Sequence, residues 1–125
     1  GVKPVINQVE LHPYLSQKPL IDFCRERGIQ VEAYSPLMHG NLKKVTDLEE
    51  IARKYGKTKA QVTLRWHLQN GLVVIPKSVH KERIAENCDI FDFELTAEEM
   101  AKIDGMNQDK RFLPNPLEFN YVGTP

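Results

Sequence analysis

The sequence predicts an α/β protein with a parallel sheet and, within that class, the C-terminal half of a TIM (β/α)8 barrel. Strand-like and helix-like segments alternate along the chain, an order that gives parallel sheets. The strands carry polar side chains, which the interior and mouth of a barrel can use but an open sheet covered on both faces mostly cannot. No GxGxxG follows a strand, so the dinucleotide-binding pattern of the open alternative is missing.

The length determines how much of a barrel the chain supplies. A complete barrel needs about 250 residues, whereas this chain has 125 residues. We therefore predict strands six, seven and eight with their helices, as one partial barrel over residues 1–125 with an irregular tail at 107–125. Because the chain opens in strand-like sequence without an initiator methionine, we interpret it as a piece of a longer protein.

Three strands are predicted, at residues 5–10, 29–34 and 73–75. The first is rich in β-branched residues, and the second ends shortly before a proline. The third is apolar on both faces, as expected of a buried parallel strand. The polar residues of the first two strands are Asn7, Gln8, Glu10, Gln30, Glu32 and Tyr34.

Five helices are predicted, at residues 16–27, 46–56, 58–70, 80–87 and 96–105, and two of them are extra to the barrel repeat. Ser16 is the predicted N-cap of the first helix. Capping-box sequences open the second and third helices at Thr46 and Thr58, and Thr96 is the predicted cap of the last. Glycine stands at or directly after the end of four of these helices, as is typical of helix C-termini.

Charge and cysteine content exclude several function classes. Lysine plus arginine equals aspartate plus glutamate, at 17 each, which argues against a nucleic-acid partner. No apolar run approaches the roughly 18 residues that cross a membrane. Cys24 and Cys88 have no metal-ligand spacing, so we predict two buried free thiols in a reducing, cytoplasmic environment. The four histidines are scattered and suggest no metal site.

The junction after the third strand carries the most information about function. Lys77 and Ser78 follow the strand, and Arg83 lies in the helix that begins there. Cationic side chains and free N–H groups at a helix start suit a phosphate, although an ordinary junction with solvated basic residues is the alternative. Barrel enzymes place their active sites at strand C-termini, often with a phosphate site after strands seven and eight.

Five motifs, in order along the chain, resemble the aldo-keto reductase family. They are residues 7–10 with 12–14 (NQVE, HPY), 33–37 (AYSPL), 54–58 with 60–62 and 64–66 (KYGKT, AQV, LRW), 75–78 with 83–84 and 86–87 (IPKS, RI, EN), and 91–95 with 103–104 (FDFEL, ID). The resemblance covers essentially all 125 residues. It implies an oxidoreductase that reduces aldehydes or ketones to alcohols with NADPH.

At the nicotinamide end of NADP(H), the resemblance implies roles for four residues. Gln8 would hydrogen-bond the carboxamide, and Tyr34 would stack on the nicotinamide ring. Ser35 and Leu37 would meet the pyrophosphate. The alternatives are that Gln8 is a satisfied amide of the barrel interior and that Tyr34 is an ordinary core aromatic.

At the adenosine end, the resemblance implies that Lys77, Ser78 and Arg83 bind the 2′-phosphate. Glu86 and Asn87 would hold the adenine amino group. The alternatives are that Lys77 and Arg83 are solvated charges and that Glu86 is a surface acid. Trp66 and His67 are interpreted as helix packing residues.

The family's catalytic tyrosine, lysine, histidine and aspartate come from the first half of the barrel, so the resemblance implies no catalytic residue in this chain. We predict little or no reductase activity for the chain alone. The expected partners are a small carbonyl substrate in the intact enzyme and either the missing N-terminal half barrel or a second copy, through open strand edges. The alternative function is a non-catalytic nucleotide-binding or interaction module.

The tail has two possible positions. It could place Phe112, Phe119 or Tyr121 near the mouth of the barrel, or it could pack across the outside of the barrel.

Overall fold

A computed structural model describes residues 2–75 and 78–118 of the chain. The strands are β1 (Ile6–Glu10), β2 (Gln30–Tyr34) and β3 (Val73–Val74), which form one parallel sheet in chain order. The α-helices are α1 (Lys18–Glu26), α2 (Asp47–Tyr55), α3 (Lys59–Gln69), α4 (Lys81–Cys88) and α5 (Ala97–Asp104). A 3₁₀ segment at Met38–Lys44, which was not predicted, follows β2. Within the described ranges, no helix is long and apolar enough to cross a membrane.

The sheet has one face covered by helices and one bare face. Val31 and Ala33 lie on the covered face and are buried. Ile6, Val73 and Ile75 lie on the other face and are 54%, 47% and 50% exposed, because in the described residues the tail covers only the Glu10 end of that face. The prediction that the third strand is buried on both sides is therefore wrong for this chain. The bare face also carries the polar strand residues Gln8, Gln30, Glu32 and Tyr34.

The core lies between the sheet and the helices. It includes two buried rings from α3, those of Trp66 and His67. Trp66 is 1% exposed and donates its indole N–H to Asp104 Oδ1 at 2.9 Å. His67 is fully buried, with its ring nitrogens 2.8 Å from the Thr63 carbonyl oxygen and 3.0 Å from that of Leu11. Burial lowers the pKa of His67. The prediction that both rings pack in the core is confirmed.

Several helix ends in the structure are those that the sequence predicts. Thr58 with Gln61, and Thr96 with Glu99, form the reciprocal hydrogen bonds of a capping box at the starts of α3 and α5. Gly56 ends α2 at φ 62°, a left-handed conformation that glycine adopts without steric cost.

Three local predictions are wrong. Thr46 makes no side-chain cap bond, because its own φ and ψ are already helical, whereas an N-cap normally has extended angles. The N-cap of α1 is Gln17, at φ 52°, whereas the Ser16 N–H donates to Asn107 Oδ1. Cys88 is exposed because α4 has no buried residues, although Cys24 is buried as predicted.

Glu99 links α5 to α2 through a compact set of hydrogen bonds. Lys54 Nζ lies 3.1 Å from Glu99 Oε2, the Tyr55 hydroxyl donates to Oε1, and the Thr96 N–H donates to Oε1 at 2.9 Å. The Glu99 side chain is 12% exposed. Burial alone would raise its pKa, but the bonds from Thr96, Tyr55 and Lys54 outweigh burial and lower the pKa to about 2.

Replacing Glu99 with Gln should remove a stabilisation that depends on pH. The pKa of Glu99 falls from 4.5 to about 2 on folding, so its carboxylate stabilises the fold above pH ~4.5 and this contribution is lost as the pH falls toward ~2. We expect Glu99→Gln to cost about 1–2 kcal/mol at pH 7, after allowance for the solvent screening of Lys54. Urea unfolding at pH 7 and at pH ~3 measures the difference.

Glu98→Gln is the matched control, because Glu98 is exposed in the same helical turn. Its cost should be small at both pH values. A Glu99→Gln cost that is equal at pH 7 and at pH ~3 would contradict the assignment of the low pKa.

Candidate functional site

Two clefts open near the C-terminal ends of β2 and β3. The first, the mouth cleft, has a volume of about 430 Å³ and is lined by Tyr34, Ser35, Leu37, Ile75 and Leu113, among others. The second, the lateral cleft, also has a volume of about 430 Å³ and is lined by Leu37, Lys43, Lys59, Ser78, Arg83, Glu86 and Asn87, among others. Because Leu37 and Gly40 line both clefts, the two adjoin and suit one elongated ligand.

The turn between the clefts has an unusual backbone. Ser35, Met38 and His39 have φ values of 52°, 59° and 51°, and Gly40 has a φ of 81°. A non-glycine residue in this left-handed region costs of order 1–3 kcal/mol and persists only where the surroundings enforce it. Here the Met38 side chain is fully buried, and the Met38 N–H donates to the Ser35 carbonyl oxygen at 3.0 Å. The fold thus holds a strained turn at the point where the clefts meet.

Polar contacts, rather than apolar packing, fix the floor of the lateral cleft. The Thr58 hydroxyl donates to Glu86 Oε1 at 2.7 Å. Gln61 Nε2 donates to the carbonyl oxygens of Glu86 and Asp89, at 3.0 and 3.3 Å. These bonds join the first turn of α3 to the end of α4, and they hold the Glu86 carboxylate in place at the cleft.

Lys57 adds ion pairs to the contact between the start of α3 and the end of α4. Its ammonium group lies 3.0 Å from Asp89 Oδ2 and 2.8 Å from Asp92 Oδ1, and its side chain is only 9% exposed. The hydrogen bond from Lys57 lowers the pKa of Asp92, and the same bond raises the pKa of Lys57. The segment after α4 is thereby tied to the loop between α2 and α3.

Seven of the nine predicted cofactor residues line these two clefts. Tyr34, Ser35 and Leu37 line the mouth cleft, and Leu37 also lines the lateral cleft together with Ser78, Arg83, Glu86 and Asn87. Gln8 lines neither cleft and is exposed on the bare sheet face. Lys77 lies outside the described residues. The roles of all nine toward a cofactor stay predictions.

Sequence reasoning missed several residues that line the clefts. Lys43 and Lys59 both line the lateral cleft, and Lys59 Nζ donates to the Lys43 carbonyl oxygen at 3.2 Å. They come from two segments far from the Ser78–Arg83 junction, so no local pattern connects them with it. His39 and Gly40 also line the mouth cleft, where the sequence predicted no role for them.

The end of β1 holds a buried acid that contacts the tail. Glu10 is fully buried, and its carboxylate accepts hydrogen bonds from Phe112 N at 2.7 Å and Leu113 N at 3.1 Å. His12 Nε2 lies 2.8 Å from Glu10 Oε2 and must donate, because a carboxylate only accepts. Burial lowers the pKa of His12, although Glu10 opposes this effect.

The tail therefore reaches the mouth of the sheet. The Phe112 ring packs against His12 at 5.1 Å between ring centroids, and Leu113 lines the mouth cleft. Phe119 and Tyr121, the other tail aromatics considered for this position, lie outside the described residues. In the part of the chain that the structure describes, no three His, Cys, Asp or Glu residues converge on a possible metal position.

The Aldo/keto reductase family matches residues 1–108. The chain belongs to this family. It is 57% identical over 117 residues to the glyoxal reductase of Bacillus subtilis (strain 168), a match that covers 94% of this chain and 42% of that protein. It is also 50% identical over 122 residues to the methylglyoxal reductase DkgA of Escherichia coli (strain K12), covering 95% of this chain and 44% of that protein.

Solved structures agree with this assignment. The apo form of Gox0644 superposes with a TM-score of 0.92 at 44% identity, covering 96% of this chain and 45% of that one. A mutant of Gox0644 in complex with NADPH gives a TM-score of 0.91 at the same identity and coverage.

This aldo-keto reductase chain thus spans less than half the length of the relatives it matches. Its parallel sheet and helices correspond to the C-terminal part of the family's (β/α)8 barrel, which confirms the predicted fold class and the predicted family.

Proposed function

We propose that the protein containing this chain is an NADPH-dependent reductase of aldehydes and ketones, and that this chain supplies the NADP(H)-binding half. The observation that carries the proposal is the pair of adjoining clefts, which are lined by seven of the residues that the sequence predicts to bind the cofactor. The NADPH bound to a mutant of Gox0644 supports the same cofactor. Bound NADPH would supply a hydride to the carbonyl carbon of the substrate.

The chemistry of each cleft fits one end of this cofactor. Arg83 offers a planar fork of donors and Ser78 a hydroxyl, which suit the 2′-phosphate together with Lys77. Glu86 and Asn87, on the same helix, would hold the adenine amino group. The lateral cleft is also lined by Lys43 and Lys59, which adds positive charge beside a phosphate.

The mouth cleft suits the nicotinamide end of the cofactor. Tyr34 would stack on the nicotinamide, and Gln8 would bind its carboxamide from the same sheet face. Ser35 and Leu37 would meet the pyrophosphate at the strained turn between the clefts. A small carbonyl compound would then approach the nicotinamide at the C-terminal mouth of the barrel. The relatives' names, glyoxal reductase and methylglyoxal reductase, make short dicarbonyls the first substrates to test.

By itself the chain is proposed to be inactive and to require completion of the barrel. The half-exposed apolar residues of the bare face, Ile6, Val73 and Ile75, support completion of the barrel by another surface. The match to 45% of the Gox0644 chain supports an N-terminal half barrel in preference to a second copy. Cytoplasmic localisation is also part of the proposal, and the two free cysteines, Cys24 and Cys88, support a reducing compartment.

Replacing Arg83 with Ala in the complete protein tests the cofactor assignment. The change should weaken NADPH binding by about 1.5–3 kcal/mol, because it removes a charge-assisted hydrogen bond to the 2′-phosphate. NADH binding should hardly change, because NADH lacks that phosphate. Fluorescence titration with each cofactor measures both affinities.

Lys81→Ala is the control, because Lys81 is an exposed cation at the start of the same helix. It should leave the preference for NADPH over NADH intact. Equal losses of NADPH and NADH affinity in Arg83→Ala would rule out the 2′-phosphate role.

A further inference from the structure

The C-terminal tail is held onto the barrel by contacts with the loop that follows β1. Asn107 Oδ1 accepts from the Ser16 N–H at 3.0 Å, and the Tyr14 carbonyl oxygen accepts from the Gln108 and Lys110 N–H groups, both at 3.0 Å. All of these bonds involve tail residues up to 110. Beyond residue 110, the described hydrogen bonds from the tail to the rest of the chain go to Glu10.

The Glu10 carboxylate binds two consecutive backbone amides of the tail. Oε2 accepts from Phe112 N and Oε1 from Leu113 N, so the two carboxylate oxygens set the position and direction of the tail backbone. The His12 ring fixes the carboxylate from one side and packs against Phe112 on the other. Since Glu10 and His12 are fully buried, water cannot easily replace the tail amides.

The position of the tail determines the shape of the mouth cleft. Leu113 is the tail residue that lines this cleft, together with Tyr34 and Ile75. Leu113 also carries one of the two amides that Glu10 binds. By binding the backbone of Leu113, the carboxylate fixes a residue that lines the cleft.

We propose that Glu10 is a positioning residue that fixes residues 112–113 of the tail and thereby sets the shape of the substrate side of the mouth cleft. Glu10 itself touches neither substrate nor cofactor in this role. The consequence for substrate binding rests on the proposed reductase function, whereas the fixing of the tail does not.

The first test measures the tail directly, in the complete protein without cofactor. Hydrogen exchange resolved to single amides should show protection at Phe112 and Leu113, although both lie in an irregular segment. In Glu10→Gln the exchange at these two amides should accelerate at least about tenfold, because an amide side chain offers one acceptor where the carboxylate offers two. Glu32→Gln, a strand acid on the same sheet face, is the control and should leave both amides protected.

The second test measures catalysis with glyoxal and NADPH. Glu10→Gln should raise the KM for glyoxal about 5–50-fold, change kcat less than about twofold and leave the dissociation constant of NADPH unchanged. Leu113→Ala should raise KM similarly without accelerating exchange at Phe112, and the double variant should be no worse than Glu10→Gln. A merely structural role would lower the fraction of active enzyme and hence kcat, without selective loss of substrate binding.

The outcomes separate the two proposals. Unprotected Phe112 and Leu113 amides in the unmodified protein, or unchanged exchange in Glu10→Gln, would overturn the positioning role even if that variant folds poorly. Accelerated exchange with unchanged KM would overturn the link to the cleft. Accelerated exchange in a protein that neither binds NADPH nor reduces glyoxal would support the fixing of the tail and overturn the reductase proposal.

Discussion

The 125-residue chain on its own is expected to reduce glyoxal with NADPH no faster than buffer does. A chimera that places the N-terminal part of the Bacillus subtilis glyoxal reductase before this chain is expected to restore turnover. The chain covers 42% of that relative, so the added part supplies the barrel half that the chain does not match. Since the resemblance to the family implies that the proton donor belongs to that half, we expect the gain in rate to exceed about 10³-fold.

Barrel closure gives the physical reason that a chimera should work. The bare face presents Ile6, Val73 and Ile75 at about half exposure, and β1 and β3 each have an open edge. In a closed barrel, neighbouring strands pair with both edges and inward side chains cover the bare face. The 57% identity over the matched region means that the relative's half should meet a closely similar surface.

The measurement is NADPH consumption with and without glyoxal, for three proteins at equal concentration: the chain, the chimera and the added N-terminal part alone. Size-exclusion chromatography on the same samples reports their association. Turnover by the chain alone would contradict the assignment of catalysis to the other half. A folded, monomeric chimera that binds NADPH but does not reduce glyoxal would leave the chain as a nucleotide-binding module.

The parts of the fold that the sequence predicts well are those determined by neighbours in the chain. The capping boxes at Thr58 and Thr96 need only residues three positions away, and Gly56 needs only its own φ. Part of the lateral cleft can be predicted for the same reason, because several of its residues are close together in the chain. Ser78, Arg83 and Asn87 lie within ten residues of one another, so one strand–helix junction carries them all.

The parts that the sequence does not predict depend on distant contacts. Glu10 meets Phe112 and Leu113 across about a hundred residues, and no local pattern links them. Thr46 has the spacing of a capping box, but its φ and ψ are helical after an extended Val45, so its side chain forms no cap bond. Cys88 is exposed because α4 contacts its neighbours through polar groups, which apolar spacing does not reveal.

Replacing Trp66 with Ala is expected to cost about 3–5 kcal/mol of the free energy of unfolding, the usual range for a fully buried tryptophan. The side chain is 1% exposed, and its ring lies edge-on to His67 at 4.8 Å between centroids. Removing it leaves a cavity and also leaves Asp104 without its indole donor. Because most domains have only about 5–15 kcal/mol in total, this change should come close to unfolding the protein.

Trp66→Phe separates the packing from the hydrogen bond. Phenylalanine keeps most of the ring volume but cannot donate to Asp104, so we expect a smaller cost of about 1–2 kcal/mol. Both costs can be measured by urea unfolding of the complete protein. Costs of equal size for Ala and Phe would mean that the hydrogen bond, and not the volume, dominates at this position.

The same variants should also separate stability from cofactor selectivity. Trp66 joins α3 to the end of α5 through Asp104, whereas the lateral cleft depends on the first turn of α3, where Thr58 and Gln61 bond to α4. We therefore expect folded Trp66→Phe to keep the NADPH-to-NADH affinity ratio of the unmodified protein while Arg83→Ala loses it. A change of that ratio in Trp66→Phe would show that packing at the far end of α3 reaches the phosphate site, and it would make α3 a shared support for the core and the clefts.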